Sequence, residues 1–326
     1  MTIAIVVRKG KSFTDSHNRI RRLADRITPA FQVRFLKIVE LIKDSATLAA
    51  IEELILVGRI DDALVITETT MLQLGRTWQE AFVLAGDETA ELIGNSLGVT
   101  VNFDALNDGA IKAMQENKLR LVREFGTSQR EATREALRAG VARGINPRDM
   151  AREFRGSIGL TQRQVQAVNN YRDMLHRLDR NALRRQLRDK RFDRTIDRAI
   201  REGKPLTGKQ IDTMVERYRA RYLKYRSEVI ARTEALRVAH AGSDEMYRQA
   251  IENGTLQADA LIQTWKTSNQ KDRRPWHRSM HDQQRPFGEP FLSGLGNLLR
   301  YPGDPDAPGS ETIQCKCAKT TRYKEI

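Results

Sequence analysis

Cysteine is almost absent from this chain. Among 326 residues there are two, Cys315 and Cys317, one residue apart. A disulfide framework is thereby excluded, and a bond between these two would be strained. The chain reads as the product of a reducing compartment. Aromatic residues are scarce, at 6%. Proline is scarce too until the C-terminal end, where six of the nine fall beyond Arg274. Long apolar runs are missing. Nothing approaches the ~18 apolar residues that a membrane-spanning helix needs. The short run Ile3 to Val7 lacks the basic flank and the length of a secretion signal. A disulfide-stapled secreted domain and a helical membrane protein are both excluded.

What the chain has is charge. Charged residues make up 30% of it, with 56 Lys and Arg against 42 Asp and Glu, a net +14. Apolar content of 40% is enough for a sizeable core. So much charge with so few aromatics suits an extended, solvated helical protein better than a compact enzyme. A field of this sign favours polyanions: nucleic acid, acidic protein surfaces or anionic lipid. The excess is concentrated in one stretch. Residues 161–255 hold 22 basic against 13 acidic side chains, a net +9, whereas residues 1–100 hold 12 against 13.

Helical periodicity dominates up to about Asn253. Phe31, Phe35, Ile38, Val39 and Ile42 recur at steps of three and four. Ile111 to Phe125 follows the same period less cleanly, because Lys118 interrupts the apolar face. Ser128 with Glu131 has the spacing of a capping box, and Gly140 and Gly144 suggest the end of that helix. Asn146-Pro147 predicts the start of the next, with proline at the first helical position. Gly156 to Gly159 reads as a break. Thr161 predicts the cap of one long helix running through Ala199. Gly203-Lys204-Pro205 reads as a turn, and Thr207 as the cap of a helix running past Arg232 to about Tyr247, with a bend near Gly242. Asn253-Gly254 closes the helical region. Beyond it, Leu261 to Thr267 and Ile313 to Cys317 read as short strands, with a short helix around Trp276 to Met280 between them. The expected fold is mainly α: an elongated helical body with a small α+β C-terminal module. Residues 1–100 form its helical N-terminal region, 101–255 a basic helical region, and 256–326 the C-terminal module.

Two sets of residues stand out as candidate sites. The first is Arg177, Arg180, Arg184, Arg185, Arg188, Arg191 and Arg194, expected on the long helix after Thr161. Asp173, Asp179, Asp189, Asp193 and Asp197 are interspersed at spacings that allow ion pairs along a helix, so a solvated, salt-laced helix is one reading. The other is DNA contact. Arginine outnumbers lysine here, and its planar fork suits phosphate. With few aromatics for base stacking, such contact would be to phosphates and without sequence preference.

The second set is His277, His281, Cys315 and Cys317. The histidines fall one turn apart on a helix, and the cysteines share one face of a strand. Two imidazoles and two thiols make a tetrahedral donor set that zinc accepts. A module this small would gain from such a staple. The competing reading places the imidazoles in a polar network and the thiols in the core as small apolar residues. Asp272, Arg273, His277 and Glu311 can also be drawn as a catalytic cluster. Their spacing names no reaction, and no phosphate-cradling glycine loop, nucleophile elbow or His-Glu-x-x-His motif is present. No enzyme is therefore expected, with a hydrolase or transferase site in the C-terminal module as the alternative.

The order of motifs in the C-terminal half resembles one family. Arg232-Thr-Glu234 on a helix is followed by Trp265, Asp272-Arg-Arg-Pro-Trp-His277 and Met280-His-Asp-Gln283. Pro286-Phe-Gly-Glu-Pro-Phe291, Tyr301-Pro-Gly-Asp-Pro305 and Cys315-Lys-Cys317 complete the series. This series, over roughly residues 150–326, resembles the phage Mu F-like head morphogenesis family, also called minor capsid or minor head proteins. Asp282 stands where that family usually has Gly, His240 where a small polar residue is common, and Lys316 where Arg is commoner. Residues 1–100 carry no matching motif. The resemblance implies a virion component that enters the assembling head in few copies. It implies association with the portal protein and with coat or scaffold proteins, and contact with packaged double-stranded DNA during packaging or ejection. It places the protein inside the head, and in the host cytoplasm during assembly. A third reading from charge alone is a free nucleic-acid-binding regulator.

Overall fold

A computed structural model of the chain describes residues 12–59, 61, 62, 65, 73–268 and 273–323. Its elements run β1 (Thr14–Asp15), α1 (His17–Ile42), α2 (Ser45–Leu56), α3 (Gln73–Leu97), α4 (Asp108–Ala142), α5 (Pro147–Ser157) and α6 (Gln162–His176). Then come α7 (Asp193–Glu202), α8 (Gly208–Glu252), β2 (Leu261–Lys266), α9 (Pro275–Arg278) and β3 (Gln284–Pro286). The chain continues with β4 (Phe291–Leu292), β5 (Leu298–Leu299), α10 (Gly309–Thr312) and β6 (Ala318–Tyr323). The fold is mainly α with a small α+β C-terminal region. No helix among the described residues is long and apolar enough to cross a membrane. The chain divides into two compact units built from discontinuous segments. The first comprises residues 1–33, 74–119 and 229–326, and the second residues 34–73 and 120–228. The stretches 1–100, 101–255 and 256–326, drawn from charge and composition, each contribute to these units without coinciding with either.

The second unit packs around Val168, Tyr171, Leu175, Val215 and Tyr218. The Tyr171 and Tyr218 rings meet at 4.4 Å. Several expected boundaries hold. Asn146 caps α5 by accepting from the Asp149 N–H, with Pro147 at the first turn. Thr161 and Gln164 form a reciprocal capping box at the start of α6. Gly203 ends α7 in the left-handed region, at φ 63°.

Two expectations fail here. Ser128 does not start a helix; it lies inside α4, where its Oγ accepts from Arg226 Nη2 at 3.0 Å. The capping-box spacing is also that of two residues on one helical face, so it arises inside helices too. Nor does the helix begun at Thr161 reach Ala199. It ends at His176, because Leu178 takes φ 54° and the Asp179 N–H turns back to the Met174 carbonyl at 2.8 Å. That is a Schellman stop with leucine where glycine is usual, so the sequence carries no visible punctuation there. Asp179 then accepts from the Asn181 N–H at 2.8 Å, and Asp189 from the Arg191 N–H at 3.2 Å. Each opens a short 3-10 turn, at Arg180–Arg184 and Lys190–Phe192.

In the first unit α3 crosses the C-terminal half of α8 at Gly242. A Cβ there would lie 2.4 Å from the Phe82 carbonyl oxygen. Glycine at this point admits a close helix crossing, and α8 runs on through it to Glu252. Asn253-Gly254 closes the helix as expected, with Gly254 at φ 77°. The four-stranded antiparallel sheet has the order β1-β6-β2-β3. Its first strand comes from the N-terminal end of the chain, pairing Thr14 with Arg322 and Asp15 with Thr321. Alternation in β2 sends Leu261, Gln263 and Trp265 inward. Met246, Tyr247, Ala250, Phe13 and Tyr323 share the core with Leu261. The β2 strand was expected. The strand expected at Ile313 to Cys317 is instead a turn, with Gln314 at φ 54°, between α10 and β6.

Two basic side chains of this unit find acidic and polar partners in its interior. Arg19 grips Asp15 with two 2.7 Å hydrogen bonds and reaches Thr89 and Ser243 at 3.1 Å each. Lys319 lies buried between Phe287 and Tyr301, with its Nζ 2.5 Å from Asp244 and 3.0 Å from Gln263.

Candidate metal centre

His277 sits on α9, a single turn opened by Pro275. Its ring is buried, and Trp265 stands edge-on to it with centroids 5.7 Å apart. The two ring nitrogens face different chemistry. Nε2 lies 2.7 Å from Glu311 Oε2. Nδ1 faces the two cysteines, 3.4 Å from Cys317 Sγ and 3.7 Å from Cys315 Sγ. His277, Cys315 and Cys317 bring their donor atoms within 4.8 Å of one another, and this group can hold a metal ion.

Glu311 sets the ring's proton. Burial opposes its ionisation, but hydrogen bonds from Asn297, Ser293 and His277 outweigh that and hold its carboxyl below the ordinary value. An ionised Glu311 only accepts, so His277 donates through Nε2–H, and the Nδ1 lone pair is left for the thiols or a metal. The thiols differ from each other. The hydrogen bond from Cys315 draws the Cys317 thiol down against burial, with His277 and the indole of Trp265 adding to the effect. The same hydrogen bond and burial push Cys315 well up. A bound cation would deprotonate both, because thiolate is the ligating form.

The Cys-x-Cys turn is positioned from α8. The Thr233 hydroxyl accepts from the Gln314 N–H at 3.0 Å, pinning the left-handed residue just before Cys315. Glu234 pairs with Arg237 at 2.6 Å, and Arg237 Nε donates to the Gly303 carbonyl at 2.7 Å. Gly303 has φ 90°, and a Cβ on it would lie 3.3 Å from Arg237 Cα. The Asp304 carboxylate then grips Arg300 through Nε and Nη2, at 3.0 and 2.7 Å. Phe291 packs edge-on against Trp265 at 5.4 Å. His240 stacks on Tyr301 at 5.8 Å and is kept well below its ordinary pKa by burial and by Lys319. The segments Thr233-Glu234, Trp265, His277, Phe291, Tyr301 to Asp304 and Cys315 to Cys317 thus form one connected assembly.

Of the four expected ligands, three come together and His281 does not. α9 is too short to carry a second histidine on its face. His281 Nδ1 accepts from the Thr267 N–H at 3.2 Å, and its Nε2 lies 3.5 Å from Asp282 on a half-exposed surface. The sequence named Glu311 only as an acid; its place behind the imidazole has no signature in spacing. Asp282 has φ 62°, a conformation glycine adopts freely and aspartate tolerates. Asp272 lies outside the described residues.

The seven candidate DNA-contact arginines are dispersed over the end of α6, the 3-10 turns and the start of α7 rather than aligned on one helix. Arg188 forms a two-pronged pair with Asp193 at 2.9 and 2.8 Å, Arg191 pairs with Asp189 at 2.6 Å, and Arg180 with Asp197 at 3.3 Å. Arg185 is half-buried with an unpartnered Nε. Arg177, Arg184 and Arg194 are exposed, with no acidic partner among the described residues. Comparison with protein-family models, with curated proteins and with solved structures gave no match to this chain.

Proposed function

We propose that this chain is a minor head protein of a tailed bacteriophage, of the Mu F-like type, whose C-terminal module is stapled by zinc on His277, Cys315 and Cys317. The observation that carries the reading is the connected assembly around His277. The segments on which the resemblance rests are separated in sequence, yet Thr233 meets Gln314, Arg237 meets Gly303, and Trp265 meets His277 and Phe291. Zinc suits the donor set. Bonds of about 2.3 Å to sulfur and about 2.05 Å to nitrogen at a tetrahedral angle set N and S roughly 3.5 Å apart. The two N···S separations here are 3.4 and 3.7 Å. A carboxylate on the far nitrogen of a ligating imidazole is the usual orienting partner of such a site. In this role the metal is structural.

The enzyme alternative meets a physical obstacle. Cys317, His277 and Glu311 align as a thiol, a base and an orienting acid, but they are 3%, 1% and 0% exposed. A substrate has no access to that sulfur.

On this reading the protein works inside the head, beside the portal and coat or scaffold proteins. It touches packaged double-stranded DNA through unpaired arginines such as Arg177, Arg184 and Arg194. Quantitative mass spectrometry of immature and mature particles, with a portal pull-down, tests it. The expected result is a few copies per particle and co-purification with the portal. Absence from both particle forms refutes the reading.

A further inference from the structure

The sheet of the first unit has a second face. Thr264 and Lys266 of β2 alternate away from the core. The strand register sets Thr14 beside Arg322, and Thr320, Thr264 and Gln284 in the neighbouring cross-strand row. The first turn of α1 adds Ser16 and His17, and the whole lines a groove of about 410 Å³.

Every charged group in that lining is basic: Lys266, Arg322 and, when protonated, His17. Arg322 is exposed, with no acidic partner among the described residues. Lys266 pairs with Asp282, which is itself exposed. Arg21 and His281 lie near enough to join burial and Lys266 in lowering the pKa of His17, so the cationic field extends past the lining. The rest of the floor is hydroxyl and amide, from Thr14, Ser16, Thr264, Thr320 and Gln284, with Ile262 as its apolar side chain. The N-terminal end of α1, a helix of 26 residues, adds its positive dipole end. Cations, hydroxyl donors and a helix N-terminus, with no carboxylate in the lining itself, are the complement of a phosphate. No aromatic side chain lines the groove to stack a base.

We propose that this groove binds a phosphodiester, taking the sugar–phosphate backbone of DNA without reading its bases. The phosphate chemistry stands on the groove alone; the choice of DNA as its carrier rests on the head-protein reading above. The groove lies in the first unit, apart in sequence from the arginines of residues 177–194.

The test uses the full-length chain and fluorescence anisotropy with a labelled random-sequence duplex and a single strand of equal length, with inorganic phosphate as competitor. Binding is followed between about 50 and 200 mM salt. The variants are Arg322→Gln with Lys266→Gln, and separately Arg184→Gln with Arg194→Gln. Circular dichroism and thermal melting check that each folds as the parent does. The groove pair is expected to weaken duplex binding about tenfold or more. It should also flatten the salt dependence by roughly 0.9 in log–log slope for each DNA phosphate left unneutralised. A groove pair that binds within twofold of the parent overturns the proposal, whatever the second pair does. Weakening confined to the Arg184 and Arg194 variant places DNA contact in the second unit and likewise overturns it. A parent that binds inorganic phosphate but neither DNA form overturns DNA as the occupant, and leaves the head-protein reading to the particle mass spectrometry.

Discussion

Replacing Glu311 by glutamine keeps the shape of the side chain and changes what it can accept. The carboxylate receives three hydrogen bonds, from His277 Nε2–H at 2.7 Å and from Ser293 Oγ and Asn297 Nδ2 at 2.8 Å each. A carboxamide has one oxygen. If that oxygen stays with Ser293 and Asn297, its NH2 faces the imidazole. The ring must then move its proton to Nδ1, the atom needed for metal. If the oxygen turns to His277, the NH2 confronts the Asn297 amide. The first arrangement takes the lone pair that a metal needs, and the second strands a buried donor at a cost of about 1–3 kcal/mol. Without the orienting bond, metal binding should weaken about 10–100-fold, which is about 1.4–2.7 kcal/mol. The assay is zinc stoichiometry by elemental analysis of the purified full-length protein, chelator competition for affinity, and thermal unfolding with and without chelator. Parent protein should carry one zinc and melt lower after chelation; Glu311→Gln should show the weaker affinity and the smaller chelator effect. A parent without zinc, or a variant holding it as tightly as the parent, would refute the reasoning.

Three further outcomes are expected. His281→Ala should leave zinc content unchanged and cost no more than about 1 kcal/mol, because its ring does little beyond accepting one hydrogen bond at a half-exposed site; loss of zinc would restore it as a ligand. Asp244→Ala should destabilise by about 3–5 kcal/mol in denaturant unfolding, since it strands the buried Lys319 ammonium, and adding Lys319→Met should recover most of that; a cost under about 1 kcal/mol would show the pair to be dispensable. Lys43 is held down to about 8, first by burial and then by Arg219, from an ordinary value of 10.5. Between these values the unfolded chain binds more protons than the folded one. Stability should therefore rise as pH climbs from about 8 towards 10.5. Lys43→Met should raise stability below pH 8 and remove that rise, and a variant keeping the parent's slope would count against the shift.

Local chemistry was legible wherever one residue type forces one backbone state. Asn146-Pro147, Thr161, Gly203 and Gly254 stand at the helix boundaries their side chains predict. Leu178 and Gln314 were illegible for the same reason inverted. Both adopt the left-handed region without being glycine: Leu178 closes a local Schellman turn, and Gln314 is held by Thr233 of α8. The first of them ends α6 and scatters the arginines. The second turns the Cys-x-Cys segment out of a strand. In the site, His277 and the cysteines were visible as metal-ligating residue types. The failure of His281 followed from the length of α9, which Pro275 opens and which ends at Arg278, before His281 is reached.

Composition and periodicity were enough for the helical class, the basic balance, the change of character after Gly254 and the residue types of the candidate metal group, though not for which of its four members come together, because these depend on residue type and spacing near in the chain. Folding in three dimensions was needed to seat β1 beside β6, to put Glu311 behind His277, and to decide which arginines are consumed by aspartates. Each of those is a meeting of residues far apart or on irregular turns. Such meetings are selected by burial and hydrogen-bond satisfaction of the whole unit, and no local pattern encodes them.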